Sequence, residues 1–194
     1  MEGVVIYFQD GVLLAESGDA KVYEMAGELF LEIGPGHTLW ALESEAEDYI
    51  EQLGDKPHGH VLEIGLGLGV ASKYLLSCPK VTSLTTIEKN ADVIKVHGQI
   101  SSVMRTFKGA EEYFSNKRHL VLNADGLLYA YNTEMTYDFV FVDCYDRIDE
   151  ETLPFITDVV NACKRLLKDD GEIVGWFDKY TPDEYVDEFF NLFK

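Results

Sequence analysis

The chain has 194 residues, 46% of them hydrophobic, and its 35 acidic against 16 basic side chains give a formal net charge of −19. That charge repels nucleic-acid phosphates and anionic lipid at long range, so the expected partner is a small, neutral or cationic molecule, with no nucleic acid and no membrane. No apolar run approaches the ~18 residues that span a bilayer, and Met1-Glu-Gly-Val lacks the basic start of a secretory signal, so a cytoplasmic protein is expected.

Four short β-prone runs open the chain: Val4-Val-Ile-Tyr-Phe, Gly11-Val-Leu-Leu-Ala, Lys21-Val-Tyr-Glu-Met and Glu28-Leu-Phe-Leu-Glu-Ile. Asp10-Gly11, Ser17-Gly-Asp19 and Ala26-Gly27 separate them, which reads as an N-terminal β-meander over residues 1–36, ended by Gly34-Pro-Gly36. Residues 37–60 read as a lead-in helix, about Ser44 to Leu53, and a loop, Gly54-Asp-Lys-Pro-His-Gly59. From 61 to 194 strands and helices alternate. Strands are expected at Val61–Ile64, Ser83–Glu88, His119–Asn123, Phe139–Asp143 and Glu172–Phe177, and helices near Val70–Leu76, Ala91–Val96, Thr106–Asn116 and Leu153–Leu167. Such alternation implies right-handed crossovers and a mostly parallel sheet with helices on both faces. Pro182-Asp-Glu-Tyr-Val-Asp-Glu-Phe-Phe reads as a last amphipathic helix.

Chemistry concentrates where these strands end. Val61-Leu-Glu-Ile-Gly65-Leu-Gly67-Leu-Gly69 runs an apolar strand into a turn of three glycines, which lets the backbone approach a ligand closely. A dinucleotide fingerprint would need a glycine at position 70, where Val70 stands, so NAD is disfavoured. Glu88 at the end of the second strand suits a ribose, because one carboxylate accepts from both hydroxyls. Beyond the next two strands come Asn123-Ala-Asp125 and Asp143-Cys-Tyr-Asp146, and Gly65, Glu88, Asp125 and Asp143 are all expected at the carboxyl edge of the sheet. Asp143 and Asp146 form a carboxylate pair able to bind or deprotonate an amine, with Tyr145 adding a hydroxyl or an aromatic face. Asp146 serves equally well as a helix cap. Cys78, Cys144 and Cys163 lack metal-ligand spacing and read as reduced thiols, and the five scattered histidines add no ligand pattern, so no metal is expected.

The acidic Gly-x-Gly-x-Gly run of Glu63, Gly65, Gly67 and Gly69 resembles the first motif of class I S-adenosylmethionine-dependent methyltransferases. Asn123-Ala-Asp125-Gly resembles the segment whose acid meets the adenine, Tyr137-Asp-Phe-Val-Phe-Val-Asp143 the fourth strand, and Leu166-Leu-Lys-Asp-Asp-Gly171-Glu-Ile-Val the helix, turn and fifth strand. The resemblance implies a Rossmann-like domain holding S-adenosyl-L-methionine through Glu63, Gly65, Gly67, Gly69, Glu88, Asn123, Asp125 and Asp143. It also implies a C-terminal hairpin, for which the segment after Phe177 is too short, so the hairpin is expected to be missing. Either the meander or a second subunit would then cover that sheet edge, which points to a homodimer.

A narrower resemblance is to spermidine synthase and related aminopropyltransferases. It rests on the N-terminal meander, the acidic Leu42-Glu-Ser-Glu-Ala-Glu-Asp-Tyr49 lead-in and Asp143-Cys-Tyr-Asp146. This chain departs from that family's pattern at Leu68, at Arg147 and in lacking its Tyr-His pair. The leading expectation is therefore a methyltransferase acting on a small, amine-bearing molecule, with Asp143, Asp146 and Tyr145 nearest the chemistry. Aminopropyl transfer from decarboxylated S-adenosylmethionine and a non-catalytic cofactor-binding or partner module are the alternatives.

Overall fold

A computed structural model describes residues 11–34, 38–100 and 118–194. Four antiparallel strands, β1 (Val12–Ser17), β2 (Ala20–Met25), β3 (Glu28–Ile33) and β4 (Thr38–Leu42), form one sheet in the order β1-β2-β3-β4. The fourth strand lies past Gly34-Pro-Gly36, where the sequence ends the meander, because β3 and β4 pair from Ile33–Thr38 to Phe30–Leu42. The expected Val4–Phe8 strand and Thr106–Asn116 helix fall outside the described residues.

The second sheet consists of β5 (Gly59–Ile64), β6 (Val81–Glu88), β7 (His119–Asn123), β8 (Tyr137–Val142) and β9 (Leu167–Gly175), in the order β7-β6-β5-β8-β9, and every neighbouring pair is parallel. Strand alternation divides two cores. Val61, Phe139 and Phe141 face one side, while Leu62, Ile64, Val140 and Val142 face the other, all almost fully buried. The first face is covered by α1 (Ala46–Leu53), α2 (Val70–Ser77) and α3 (Ala91–Ile100); the second by α4 (Gly126–Asn132), α5 (Leu153–Lys164) and α6 (Asp183–Asn191). This is the Rossmann-like arrangement expected.

Several local differences have physical causes. The expected turn at Lys168–Gly171 is a bulge inside β9: pairing runs from Tyr137–Leu167 directly to Phe139–Glu172, so the residues between them loop out of register. Helix α4 escaped the sequence reading because it is short, but Asp125 caps it by accepting the Leu128 N–H at 3.0 Å. After β9 the described chain ends in α6 without a hairpin, and Phe189 of that helix is buried edge-on against Tyr145 at 6.3 Å. The meander packs on α3 rather than along β9, where Ser17 donates to Asp92 at 2.8 Å. Its inner residues Ala15, Val22 and Leu31 share a core with Val93 and Val96. No helix among the described residues is long and apolar enough to cross a membrane.

Candidate active site

The strand order reverses beside β5, with β6 on one side and β8 on the other, and a crevice opens where their carboxyl ends diverge. A cavity of about 340 Å³ fills it. Gly65, Gly67, Glu88, Asp125, Asp143 and Asp146 line it. The turn at its base has positive φ at Gly65, Gly67 and Gly69 (103°, 51° and 76°), the left-handed region that glycine adopts without penalty. Between them Leu66 and Leu68 are buried in the core, so the leucines anchor the turn while its backbone borders the cavity.

Glu88 stabilises the same turn. One carboxylate oxygen accepts the Leu66 N–H at 3.1 Å and the other the Asn90 N–H at 2.7 Å. Asn123 does not line the cavity; its side-chain amide donates to the carbonyls of Glu88 and Lys89 at 2.9 and 3.0 Å, fixing the end of β6 from β7. Glu63 is wholly buried beneath the turn and is likewise not a lining residue. Ser72 of α2 and Thr86 of β6, the latter at 2.5 Å, donate to the same Glu63 oxygen, and Thr86 pairs onward with His119 at 2.8 Å. Burial pushes the Glu63 carboxyl up to about 8. Gly69 starts α2 from outside the lining.

At the end of β8, Asp143 meets a residue that the sequence reading did not place in the site. Tyr49 of α1 donates its hydroxyl to Asp143 Oδ2 at 2.8 Å, with the Glu45 carboxylate 3.5 Å away. The helix holds it there for a simple reason: Ala46, Tyr49 and Leu53 form its buried stripe, and the Tyr49 ring packs edge-on to Phe141 at 5.9 Å. Gln52 locks the helix to the end of β9 by exchanging two hydrogen bonds with the Phe177 backbone, 2.8 and 2.9 Å. Burial raises the Asp143 carboxyl to about 7, and the bond from Tyr49 opposes that rise. The Tyr49 phenol, itself buried beside Asp143 and Glu45, is pushed well above its ordinary value and stays protonated. A tyrosine on the buried stripe of the helix preceding the first parallel strand was the available signal, although no histidine follows it: position 50 is Ile50.

Tyr145 lines the cavity, and its hydroxyl is engaged by the fold, donating to the Trp176 carbonyl at 2.6 Å. Asp146 is exposed at the rim, beside Arg147. Burial and the neighbouring Asp143 push the Cys144 thiol up, so it is not a nucleophilic thiolate at neutral pH. The meander reaches the cavity as well, through Leu31 and Ile33. Among the described residues, five carboxylates line the cavity, from Glu45, Glu88, Asp125, Asp143 and Asp146, with one cation, Lys89. Such a site selects positive charge.

Comparison with known proteins gives one family model, the spermine/spermidine synthase domain, matching residues 49–180. The polyamine aminopropyltransferase of Prochlorococcus marinus subsp. pastoris is 29% identical over 113 residues, 58% of this chain and 38% of that protein. The ubiquinone biosynthesis O-methyltransferase of Xanthomonas oryzae pv. oryzae is 28% identical over 141 residues, 72% of this chain and 52% of that one. The crystal structure of spermidine synthase from Thermotoga maritima superposes with a TM-score of 0.68 at 18% identity, over 93% of this chain and 61% of that chain. The chain thus spans about two fifths to one half of the length of these curated relatives.

Proposed function

The chain belongs to the spermine/spermidine synthase family, and we propose that it transfers an aminopropyl group from decarboxylated S-adenosylmethionine to the nitrogen of a small amine. The methyl transfer expected from the glycine turn is corrected by the family match across residues 49–180. That turn is common to both chemistries, because it holds the nucleoside part that both cofactors share.

The observation that carries the reading is Asp143, fixed by Tyr49 in a cavity where, among the described residues, five carboxylates face a single lysine. A cofactor without its carboxylate is doubly cationic, and this lining suits it better than the intact molecule, whose carboxylate would meet like charge. The residues present fit the nucleoside end too: the glycine turn admits close approach, and Glu88 stands at the end of β6 beside it. When bound, the cofactor supplies a carbon activated by the adjacent sulfonium, so the C–S bond breaks toward sulfur as the C–N bond forms.

Asp143 orients the attacking amine and takes its proton. A carboxylate raised to about 7 is partly ionised at neutral pH and a better base than an ordinary aspartate. Tyr49 holds Oδ2, which leaves Oδ1 for the amine. Glu45 adds negative charge on the same side, next to the developing ammonium.

The test is to incubate the chain with decarboxylated S-adenosylmethionine and a series of primary amines, and to follow 5′-methylthioadenosine and the alkylated amine by mass spectrometry. Aminopropylated product, with tighter binding of the decarboxylated than the intact cofactor, is expected. Binding without product across the series would overturn the reading in favour of a non-catalytic module.

A further inference from the structure

We propose that Gln52 is a positioning residue for the transfer: by gripping the Phe177 peptide it sets the register of α1, and so keeps the Tyr49 hydroxyl on Asp143. The inference rests on the aminopropyl-transfer reading, and Gln52 itself is not a lining residue of the cavity.

Apolar burial alone does not decide where Tyr49 stops. Helix α1 has eight residues and no side-chain cap at its start, so it draws its stability from packing. Its buried stripe of Ala46, Tyr49 and Leu53 fixes how deep the helix sits, but the hydrophobic effect is non-directional and leaves sliding and rotation cheap. The hydrogen bond from Tyr49 to Asp143, 2.8 Å long, is less tolerant and is lost with a shift of about 1 Å. A directional contact has to hold the helix.

Gln52 supplies that contact one helical turn from Tyr49. Its Nε2 donates to the Phe177 carbonyl at 2.9 Å, and its Oε1 accepts the Phe177 N–H at 2.8 Å. Phe177 lies beyond the end of β9 at Gly175, and the amide of Gln52, a donor and an acceptor on one planar group, satisfies both of its backbone groups. Two bonds in one plane restrain the helix in rotation as well as translation. Lys179 pairs with Asp48 between the same segments, but at 3.9 Å on the surface it restrains little.

A second, independent observation concerns the residue next to Phe177. The Trp176 N–H donates to the Val142 carbonyl at 2.9 Å, and the Trp176 carbonyl accepts the Tyr145 hydroxyl at 2.6 Å. Asp143 lies between Val142 and Tyr145 in the chain. Adjacent residues thus anchor the two partners: Trp176 holds the segment that carries Asp143, and Phe177 holds the helix that carries Tyr49. With both anchors on one short stretch of backbone, the Tyr49–Asp143 separation is protected from movement elsewhere.

The test is a double-mutant cycle between Gln52→Leu, which removes both bonds at similar size, and Tyr49→Phe. It is read with decarboxylated S-adenosylmethionine and 1,4-diaminobutane, after thermal melts confirm folding. Gln52→Leu is expected to lower kcat about tenfold and to leave the cofactor Kd within about threefold. The acidic limb of the pH–rate profile should move to higher pH, because the bond from Tyr49 is what opposes the rise of the Asp143 carboxyl. Glu45 and Glu63, which also act on Tyr49, are unchanged in every variant. Added to Tyr49→Phe, Gln52→Leu should change neither rate nor limb further, since residues that act through one contact are non-additive. Equal losses in both backgrounds, or a lower rate with the limb unmoved, overturn the inference, as a helix that merely needed Gln52 for stability would behave so. If Gln52→Leu fails to fold, Gln52→Glu, which keeps the bond from the Phe177 N–H, takes its place in the cycle. If the unaltered chain makes no product, the aminopropyl reading falls and the positioning claim is decided without turnover. The carboxyl-carbon NMR resonance of Asp143, identified by its absence in Asp143→Asn, should titrate at higher pH in Gln52→Leu, and an unmoved titration overturns the claim.

Discussion

The backbone carbonyl of Asp143 occupies the space in which any side chain at position 65 would begin: a Cβ built on Gly65 falls well under 3.0 Å from that oxygen. The glycine turn and the end of β8 are therefore packed directly against each other, with Gly65 at φ 103° and the Asp143 N–H donating to Ile64 at 2.8 Å. Gly65 is therefore needed by the fold itself. We expect Gly65→Ala to destabilise the chain by about 2–4 kcal/mol, from strain and displaced backbone together. Chemical denaturation checks this, and unchanged stability would show that the two segments separate easily.

Asp143→Asn separates binding from chemistry. Removing the base while keeping the shape should leave affinity for the decarboxylated cofactor within about tenfold, roughly 1.4 kcal/mol, and lower turnover by about 100-fold or more. Calorimetry and single-turnover rates give the two numbers. Full-rate turnover in the variant would place the proton acceptor elsewhere.

Tyr49→Phe is the finer probe. The Tyr49 bond holds the Asp143 carboxyl below the value that burial alone would impose, so its loss should raise that value above about 7. The acidic limb of the pH–rate profile should then move to higher pH, with activity at neutral pH falling several-fold and partly recovering in alkali. A uniform loss at every pH would mean that Tyr49 acts by packing alone.

Glu88→Ala should weaken cofactor binding by about 1.5–3 kcal/mol through lost charged hydrogen bonds. Because Glu88 also receives the Leu66 and Asn90 N–H groups, part of the loss is the loosened turn. Glu88→Gln, which retains one acceptor oxygen, should fall between the two. Affinities from titration calorimetry in that order support the assignment; equal affinities in all three count against it.

Glu63 links the buried network to stability. Its folded value, about 8, lies above the ordinary carboxyl value, so the folded chain holds a proton that the unfolded chain releases. The resulting stability is complete in acid, declines as pH rises from about 4, and is gone above about 8, with a slope of at most about 1.4 kcal/mol per pH unit. Glu63→Gln removes this dependence, so the wild-type melting temperature should fall relative to the variant between pH 5 and 8, and the gap should level off beyond. Parallel curves for the two proteins would show that Glu63 is ionised in the fold.

What the sequence by itself determined is what short-range physics dictates: strands buried on both faces, the three-glycine turn, and acids following the strands that end at one edge. These signals lie within a few residues of one another and survive any tertiary arrangement. It also carried the family resemblance in Asp143-Cys-Tyr-Asp146 and the lead-in, but its glycine turn placed methyl above aminopropyl transfer, an order that the family match across residues 49–180 reverses. Only the tertiary structure decided which groups share the cavity. Tyr49 reaches Asp143 across 94 positions of chain because α1 buries its apolar stripe and Gln52 fixes its end. Packing likewise turned Glu63 inward to Ser72 and Thr86, directed the Tyr145 hydroxyl to a backbone carbonyl, and brought Leu31 of the meander to the cavity wall. Side-chain direction depends on which face each neighbour covers, and that is a property of the assembled layers rather than of local sequence.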